Sequence, residues 1–217
     1  MILVLDTSLH DLSIALFSDD AKELVSFHHS PSRQERGVHD SMLTTKTAEL
    51  LARAGAKAKD IKRIMYIAGP GSFTGLRIGL SFSKGLAYAS DATLVPIPSH
   101  VALQCSLQSK YRDENGLLFA YPGYDKHSLY IAHAAAIEDV ALVPIRELLS
   151  HLTIAGPPAA LELLANKHER TVDCTISLQA IASLTLPEAK GFEAIAALEP
   201  HYVTPFKPHP DSRREIG

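Results

Sequence analysis

The stretch AGPGSFTGLRIG, residues 68–79, sets four glycines, a proline, a serine and a threonine between two apolar runs. IKRIMYIA before it reads as a strand, and LRIGLSFSKGLAYA after it has the spacing of a helix. A glycine-dense turn from strand to helix can offer backbone N–H groups to a phosphate, or let two backbones approach closely. The phosphate templates fail here. A Walker A loop, G-x-x-x-x-G-K-[ST], would need its second glycine at Thr74 or Leu76, and a G-x-G-x-x-G loop started at Gly69 and Gly71 meets Thr74 where its third glycine belongs. The helix offers another use. Gly75, Gly79, Ser83 and Ala87 recur every four residues and form one row of small side chains. Such a row lets a neighbouring element come near, which would offset the roughly 1 kcal/mol that each helical glycine costs relative to alanine. That neighbour is either the chain's own sheet or a helix of a partner. Thr74 reads as the N-cap. Arg77, unfavourable near a helix start, needs a carboxylate, a phosphate or water opposite it.

The rest of the chain reads as alternating strands and helices. MILVL (1–5) is a continuous apolar run, as expected of a strand buried on both faces, and LSIALFS and KELVSFHH continue it as a meander. A helix is expected over 38–54, with Met42, Leu43, Leu50, Leu51 and Ala54 on one stripe, a strand over 64–68, a helix over 75–90, a strand over 93–98, and a helix from an N-capping Ser99 to Leu107. QSKYRDENG (108–116) is polar and marks the boundary between lobes 1–107 and 108–217. A second hairpin follows, turning at 122–126. Then come helices near 145–151, 158–167, 177–186 and 191–198, and strands at 153–156 and 172–176. Twice, a hairpin comes first and helices after. EPHYVTPFKPHP is extended and proline-punctuated, the start of a flexible tail.

A net charge of −3, from 21 Lys+Arg against 24 Asp+Glu, argues against holding nucleic acid by bulk charge; the basic bias is local, at Lys207, Arg213 and Arg214. Cys105 and Cys174 have no metal-ligand spacing and read as free thiols. The broken apolar N-terminus and the lack of an apolar run of about 18 residues point to a cytoplasmic protein without membrane contact.

Few residues carry recognisable chemistry. His39 has Leu43 four residues on, so its helix face supplies one imidazole, too few for a metal. His28 and His29 lie on opposite faces of a strand, and His127 and His133 are six apart. Ser72 and Cys105 lack a nucleophile signature, and G-x-S-x-G does not occur. No metal site is expected.

LDTS at the end of the first strand, GPGSFTGLRIG at 69–79 and LEPHYV at 198–203 together resemble the TsaB (YeaZ) family of tRNA threonylcarbamoyladenosine modification. The likeness is strongest over residues 1–100. It implies an α/β fold with two lobes of the actin/sugar-kinase/heat-shock-chaperone (ASKHA) type, each a mixed sheet with flanking helices. It also implies a non-catalytic subunit that binds and supports the enzyme TsaD as it forms the threonylcarbamoyl group on the adenosine next to the anticodon. TsaE would join through the TsaB–TsaD complex, tRNA would be met only through that complex, and the chain alone would form a homodimer. No cofactor is expected on the isolated chain, and ATP or ADP only at the complex interface. The family's pairing surface is built from the first two helices, which maps here to His39, Met42, Leu43, Gly75, Leu76, Gly79, Ser83 and Ala87. Asp6, Thr7, Ser8, Ser72, Thr74 and Arg77 fall near the nucleotide position of the superfamily; Asp6 would organise a metal–phosphate site there, or else accept turn hydrogen bonds from Ser8. Two departures stand out. Where relatives carry Asp-Ala-Arg, this chain has Gly123-Tyr124-Asp125, and the C-terminal Tyr-Leu-Arg is Tyr202-Val203-Thr204. The alternatives are an ATP-binding or ATP-hydrolysing enzyme of the same fold and a self-associating regulatory dimer using the same helix face.

Overall fold

The computed structural model describes residues 1–31, 38–111, 116–134, 136–148, 152–165 and 168–203, with the side chains of 38–40, 110 and 136–138 excepted. Among the described residues, ten strands form two five-stranded mixed sheets. The first holds β1 (Ile2–Asp6), β2 (Leu12–Phe17), β3 (Glu23–His29), β4 (Arg63–Gly69) and β5 (Thr93–Pro98), in the order β3-β2-β1-β4-β5. β1 runs antiparallel to β2 and parallel to β4, and β5 continues parallel. The second holds β6 (Leu117–Pro122), β7 (Ser128–His133), β8 (Ala136–Pro144), β9 (Thr153–Gly156) and β10 (Thr171–Asp173), with the same senses of pairing in the order β8-β7-β6-β9-β10. The duplication expected from the sequence therefore extends to strand order. It includes a third antiparallel strand, β8, the counterpart of β3, that was not expected.

The central position of β1 explains its unbroken apolar sequence. Leu3 and Leu5 point to a core shared with helices α1 (Val38–Arg53) and α2 (Phe73–Ser90), while Ile2 and Val4 point to the other face, where α3 (Ser99–Ser106) contributes Ala102 and α5 (Leu178–Ala182) contributes Ile181 and Ala182. All four strand residues are at most 5% exposed, and each such burial contributes about 1.5–3 kcal/mol. α3 is shared between the sheets. Leu103 and Leu107, from its far side and its end, join Phe119, Tyr121 and Tyr130 in the core of the second sheet, whose outer face is covered by α4 (Pro158–Leu164). Ser106 Oγ also accepts from the Ser177 N–H at 2.8 Å.

β1–β5 belong to the first sheet and β6–β10 to the second, which α4 covers, but the last two helices return to the first sheet. α5 packs on the first sheet, and α6 (Phe192–Ala196) places Ile195 in the α1–α2 core. Ala189 and Leu94 exchange two backbone hydrogen bonds of 2.9 Å, so residue 189 extends the β5 edge. The segment after β10 completes the first lobe.

Several local expectations are corrected. The helix expected at 145–151 is a single 3-10 turn, Ile145–Glu147, flanked by prolyl backbone at Pro144, and 149–151 lie outside the described residues. The later helices are one to two turns long. Ser72, not Thr74, caps α2: its Oγ accepts from the Gly75 N–H at 3.3 Å, so the helix starts earlier. Ser99 does not cap α3, because its hydroxyl donates instead to the Pro70 carbonyl at 2.6 Å. The tail beyond 203, with Thr204, Lys207, Arg213 and Arg214, lies outside the described residues. Among the described residues no helix is long and apolar enough to cross a membrane.

Candidate functional site

The glycines of the 68–79 stretch serve close backbone approach within the chain. A Cβ on Gly75 would stand 2.0 Å from the Thr7 carbonyl oxygen, on Gly71 2.4 Å from the Ser8 carbonyl oxygen, and on Gly79 2.3 Å from Thr7 Oγ1. Real side chains do not tolerate such distances. The contact is also stitched by hydrogen bonds. The Ser72 N–H donates to the Ser8 carbonyl at 2.6 Å, and the Thr7 hydroxyl donates to the Gly75 carbonyl at 2.8 Å. Gly69, with φ of 117°, adopts a backbone that L side chains avoid, and its missing side chain makes room for the His201 carbonyl, 2.8 Å from where a Cβ would be.

The small row of α2 is therefore an inward surface, which corrects the expected partner-binding set. Gly75, Gly79, Ser83 and Ala87 are buried, as are their neighbours Leu76 and Leu80. Leu43, 1% exposed, belongs to the same core, and Met42 packs against it half-buried. The side chain of His39 lies outside the described residues. The physical reason was available in the sequence: Leu76 and Leu80 lie on one side of the small row on the helix wheel and Phe82 and Leu86 on the other, so the row sits within the apolar face rather than opposite it.

What α1 and α2 present outward is a different set. Thr44, Arg77, Ile78, Ser81 and Phe82, with the rim of Leu43, line an open groove of about 360 Å³ between the two helices. Thr44, Arg77 and Ser81 are exposed, and Ile78 and Phe82 half-buried. Further along α2, Gly85 has open space where its Cβ would be, and Ala89 is exposed. Ser81, Gly85 and Ala89 make a second small row, turned to solvent.

The nucleotide-proximal candidates divide. Asp6, Thr7, Ser8 and Ser72 come together at the end of β1. Asp6 Oδ1 accepts from the Ser8 N–H at 2.8 Å and from its hydroxyl at 2.5 Å, the turn role that was the alternative to a metal–phosphate site. Ser8 Oγ also lies 2.5 Å from the hydroxyl of Tyr121, which reaches across from β6. Tyr121 is buried; desolvation first, and the neighbouring Asp6 carboxylate second, push its phenol well above the usual range, so it stays a neutral hydrogen-bonding group. Thr74 and Arg77 are exposed on the other side of α2. Sequence reasoning did not find Tyr121, whose role depends on how the second sheet meets the first.

Arg77 is engaged by the C-terminal segment. Its Nε–H donates to the Tyr202 hydroxyl at 3.1 Å, and its guanidinium lies 4.1 Å from the centroid of the Phe73 ring. Phe73 and Tyr202 stack with centroids 5.1 Å apart, and the His201 N–H donates to the Ala68 carbonyl at 2.7 Å. LEPHYV thus straps the start of α2, and Tyr202, noted in the sequence only for its altered neighbours, positions Arg77. Beneath the strap, buried His100 faces His201 edge-on, with centroids 6.5 Å apart. Burial first, and His201 second, pull the His100 imidazole down to about 4. The altered segment forms a local turn, in which Asp125 Oδ1 accepts from the His127 N–H at 2.8 Å and the Ser128 hydroxyl at 2.7 Å. Among the described residues, no group of three His, Cys, Asp or Glu side chains could hold a metal ion.

Two mixed sheets of matching topology, each with flanking helices, define an ASKHA-type α/β protein. The family model for TsaD, tRNA N6-adenosine threonylcarbamoyltransferase, matches residues 31–122. The chain is 30% identical to the tRNA threonylcarbamoyladenosine biosynthesis protein TsaB of Haemophilus influenzae over 114 residues, 52% of this chain and 46% of that protein. It is 33% identical to TsaB of Bacillus subtilis over 122 residues, 54% of this chain and 47% of that protein. The match thus spans about half the length of these curated relatives. A crystal structure described as a protein with similarity to peptidase YEAZ from Pseudomonas aeruginosa shares the fold, with a TM-score of 0.63 at 19% identity over 94% of this chain and 99% of that one. The sequence similarity is thus to TsaB proteins and to the TsaD family model, and the structural similarity to a YEAZ-like protein is one of fold.

Proposed function

We propose that the chain takes part in tRNA threonylcarbamoyladenosine biosynthesis as a non-catalytic subunit that docks on TsaD through the outward face of α1 and α2. The groove between these helices carries the reading: it is open, partly apolar and bordered by small side chains, as a helix-to-helix interface requires. The names of the curated relatives support the pathway. The β1 end supports a non-catalytic role. Asp6, Ser8 and Tyr121 satisfy one another by hydrogen bonds, and the glycine backbone that could have faced a phosphate is packed against Thr7 and Ser8. In this reading ATP or ADP belongs to the interface with TsaD, and TsaE and tRNA are met through the complex. A homodimer of the isolated chain would bury the same face and compete with TsaD.

The test is the molar mass of the purified chain alone, of TsaD from the same cell, and of the mixture, by light scattering on a sizing column. A heterodimer that forms at the expense of any homodimer supports the reading. Two species that elute unchanged at tens of micromolar would end it. ATP turnover by the chain alone, abolished by Asp6→Ala, would favour the ATPase alternative.

A further inference from the structure

We infer that the α1–α2 groove selects a partner helix carrying a carboxylate, which is bound by Arg77 held in place by Phe73 and Tyr202. The inference rests on the docking reading above and specifies the chemistry of what docks.

Arg77 stands at the edge of the groove and is exposed, yet its position is fixed by two independent contacts. Tyr202 takes the Nε–H at 3.1 Å, and the Phe73 ring lies 4.1 Å from the guanidinium carbon. The Phe73–Tyr202 stack and the His201–Ala68 hydrogen bond tie that clamp to the start of α2. A guanidinium carries five N–H donors. With Nε committed to Tyr202, the two terminal nitrogens keep their donors, and among the described residues they meet no carboxylate. A planar, immobilised fork of this kind matches a carboxylate in two-point geometry and loses little side-chain freedom on binding. Lysine would supply the charge without the fork.

The groove beyond Arg77 specifies the rest. Ile78 and Phe82 offer apolar contact, and Ser81, Gly85 and Ala89 lie along α2 at four-residue spacing with nothing larger than a methyl or hydroxyl. A helix laid along that row can come close. To pair with Arg77 it needs Asp or Glu at the end that faces the start of α2, followed about one and two turns on by small or aliphatic residues. An acidic side chain there is also favoured by the positive end of the α2 dipole.

The experiment measures the dissociation constant for TsaD from the same cell, by calorimetry at low and high salt, with four forms of the full chain: unchanged, Ser81→Leu, Arg77→Glu and Arg77→Met. Ser81 is exposed, so Ser81→Leu should melt as the parent does, while the Arg77 variants lose the Tyr202 and Phe73 contacts and are compared with the parent by their melting temperatures. The inference expects Ser81→Leu to weaken binding about tenfold or more and Arg77→Glu about 30-fold or more. Arg77→Met should bind more weakly and lose much of the salt dependence seen with the parent. If Ser81→Leu weakens binding while both Arg77 variants bind as the parent does, the carboxylate inference is overturned and the docking reading stands. If none of the three changes binding, both fall. Should Arg77→Glu lower the melting temperature, Arg77→Met decides by its salt dependence alone.

Discussion

Two glycines of one helix should respond oppositely to the same substitution. Gly75 and Gly85 both lie in α2, and replacing either by alanine removes the cost of a helical glycine, a gain of about 1 kcal/mol. At Gly85 nothing lies within 4 Å of the new Cβ, so that gain should appear whole. At Gly75 the Cβ would stand 2.0 Å from the Thr7 carbonyl oxygen. Ordinary contact begins near 3.4 Å, so helix and strand must separate by about 1 Å or more. That separation strains the Thr7–Gly75 and Ser72–Ser8 hydrogen bonds, which span the same contact. Overpacking of this kind costs about 1–3 kcal/mol or more, which exceeds the propensity gain. In a chain of 217 residues each kcal/mol shifts the melting temperature by about 2–4 °C. Gly85→Ala should therefore melt a few degrees above the parent, and Gly75→Ala several degrees below it, by calorimetry of the isolated chain. Gly79→Leu should fall further. If Gly75→Ala melts at or above the parent, α2 does not lie against β1 as described, and the small row returns as a candidate for the partner face.

The hydroxyl chain between the sheets gives a second expectation. Tyr121→Phe and Ser8→Ala should each destabilise the chain by about 1–2 kcal/mol in urea unfolding, and the double variant by less than their total, because they share one hydrogen bond; strict additivity would show that the bond is absent. His100 gives a pH dependence. Its folded value of about 4 lies below the ordinary 6.5, so between those values the unfolded chain binds the proton more readily. Stability should be full above pH 6.5 and fall on acidification, by about 2 kcal/mol at pH 5 from this group, and His100→Gln should flatten that part of the profile. An unchanged slope in the variant would mean that His100 is hydrated in the fold.

Much of the architecture was legible because its causes are local. Apolar run length identified β1 and β5, alternation identified β2 and β3, and helical spacing identified α1 and α2. β8 was missed although the duplicated pattern implied it, since AIEDVALVP mixes acids with valines and lies at a sheet edge, where one face need not be apolar. The short C-terminal helices were overextended because their ends are set by packing on the sheets, α4 on the second and α5 and α6 on the first. At the site, the glycines announced a close approach, but their direction depended on the neighbouring leucines. Tyr121 and Tyr202 could not be assigned from sequence. Each acts on a residue more than a hundred positions away, Ser8 and Arg77 respectively, and only the meeting of the sheets and the path of the C-terminal segment bring them there.

The docking face can be located without any substitution. Amide hydrogen exchange of the chain, alone and saturated with TsaD from the same cell, reports which backbone is covered. The account predicts added protection in α1 and α2, centred on residues 42–53 and 74–89, and in the strap at 200–203, with the strands of the second sheet unchanged. Protection confined to β6–β10, with α1 and α2 exchanging as in the free chain, would contradict it.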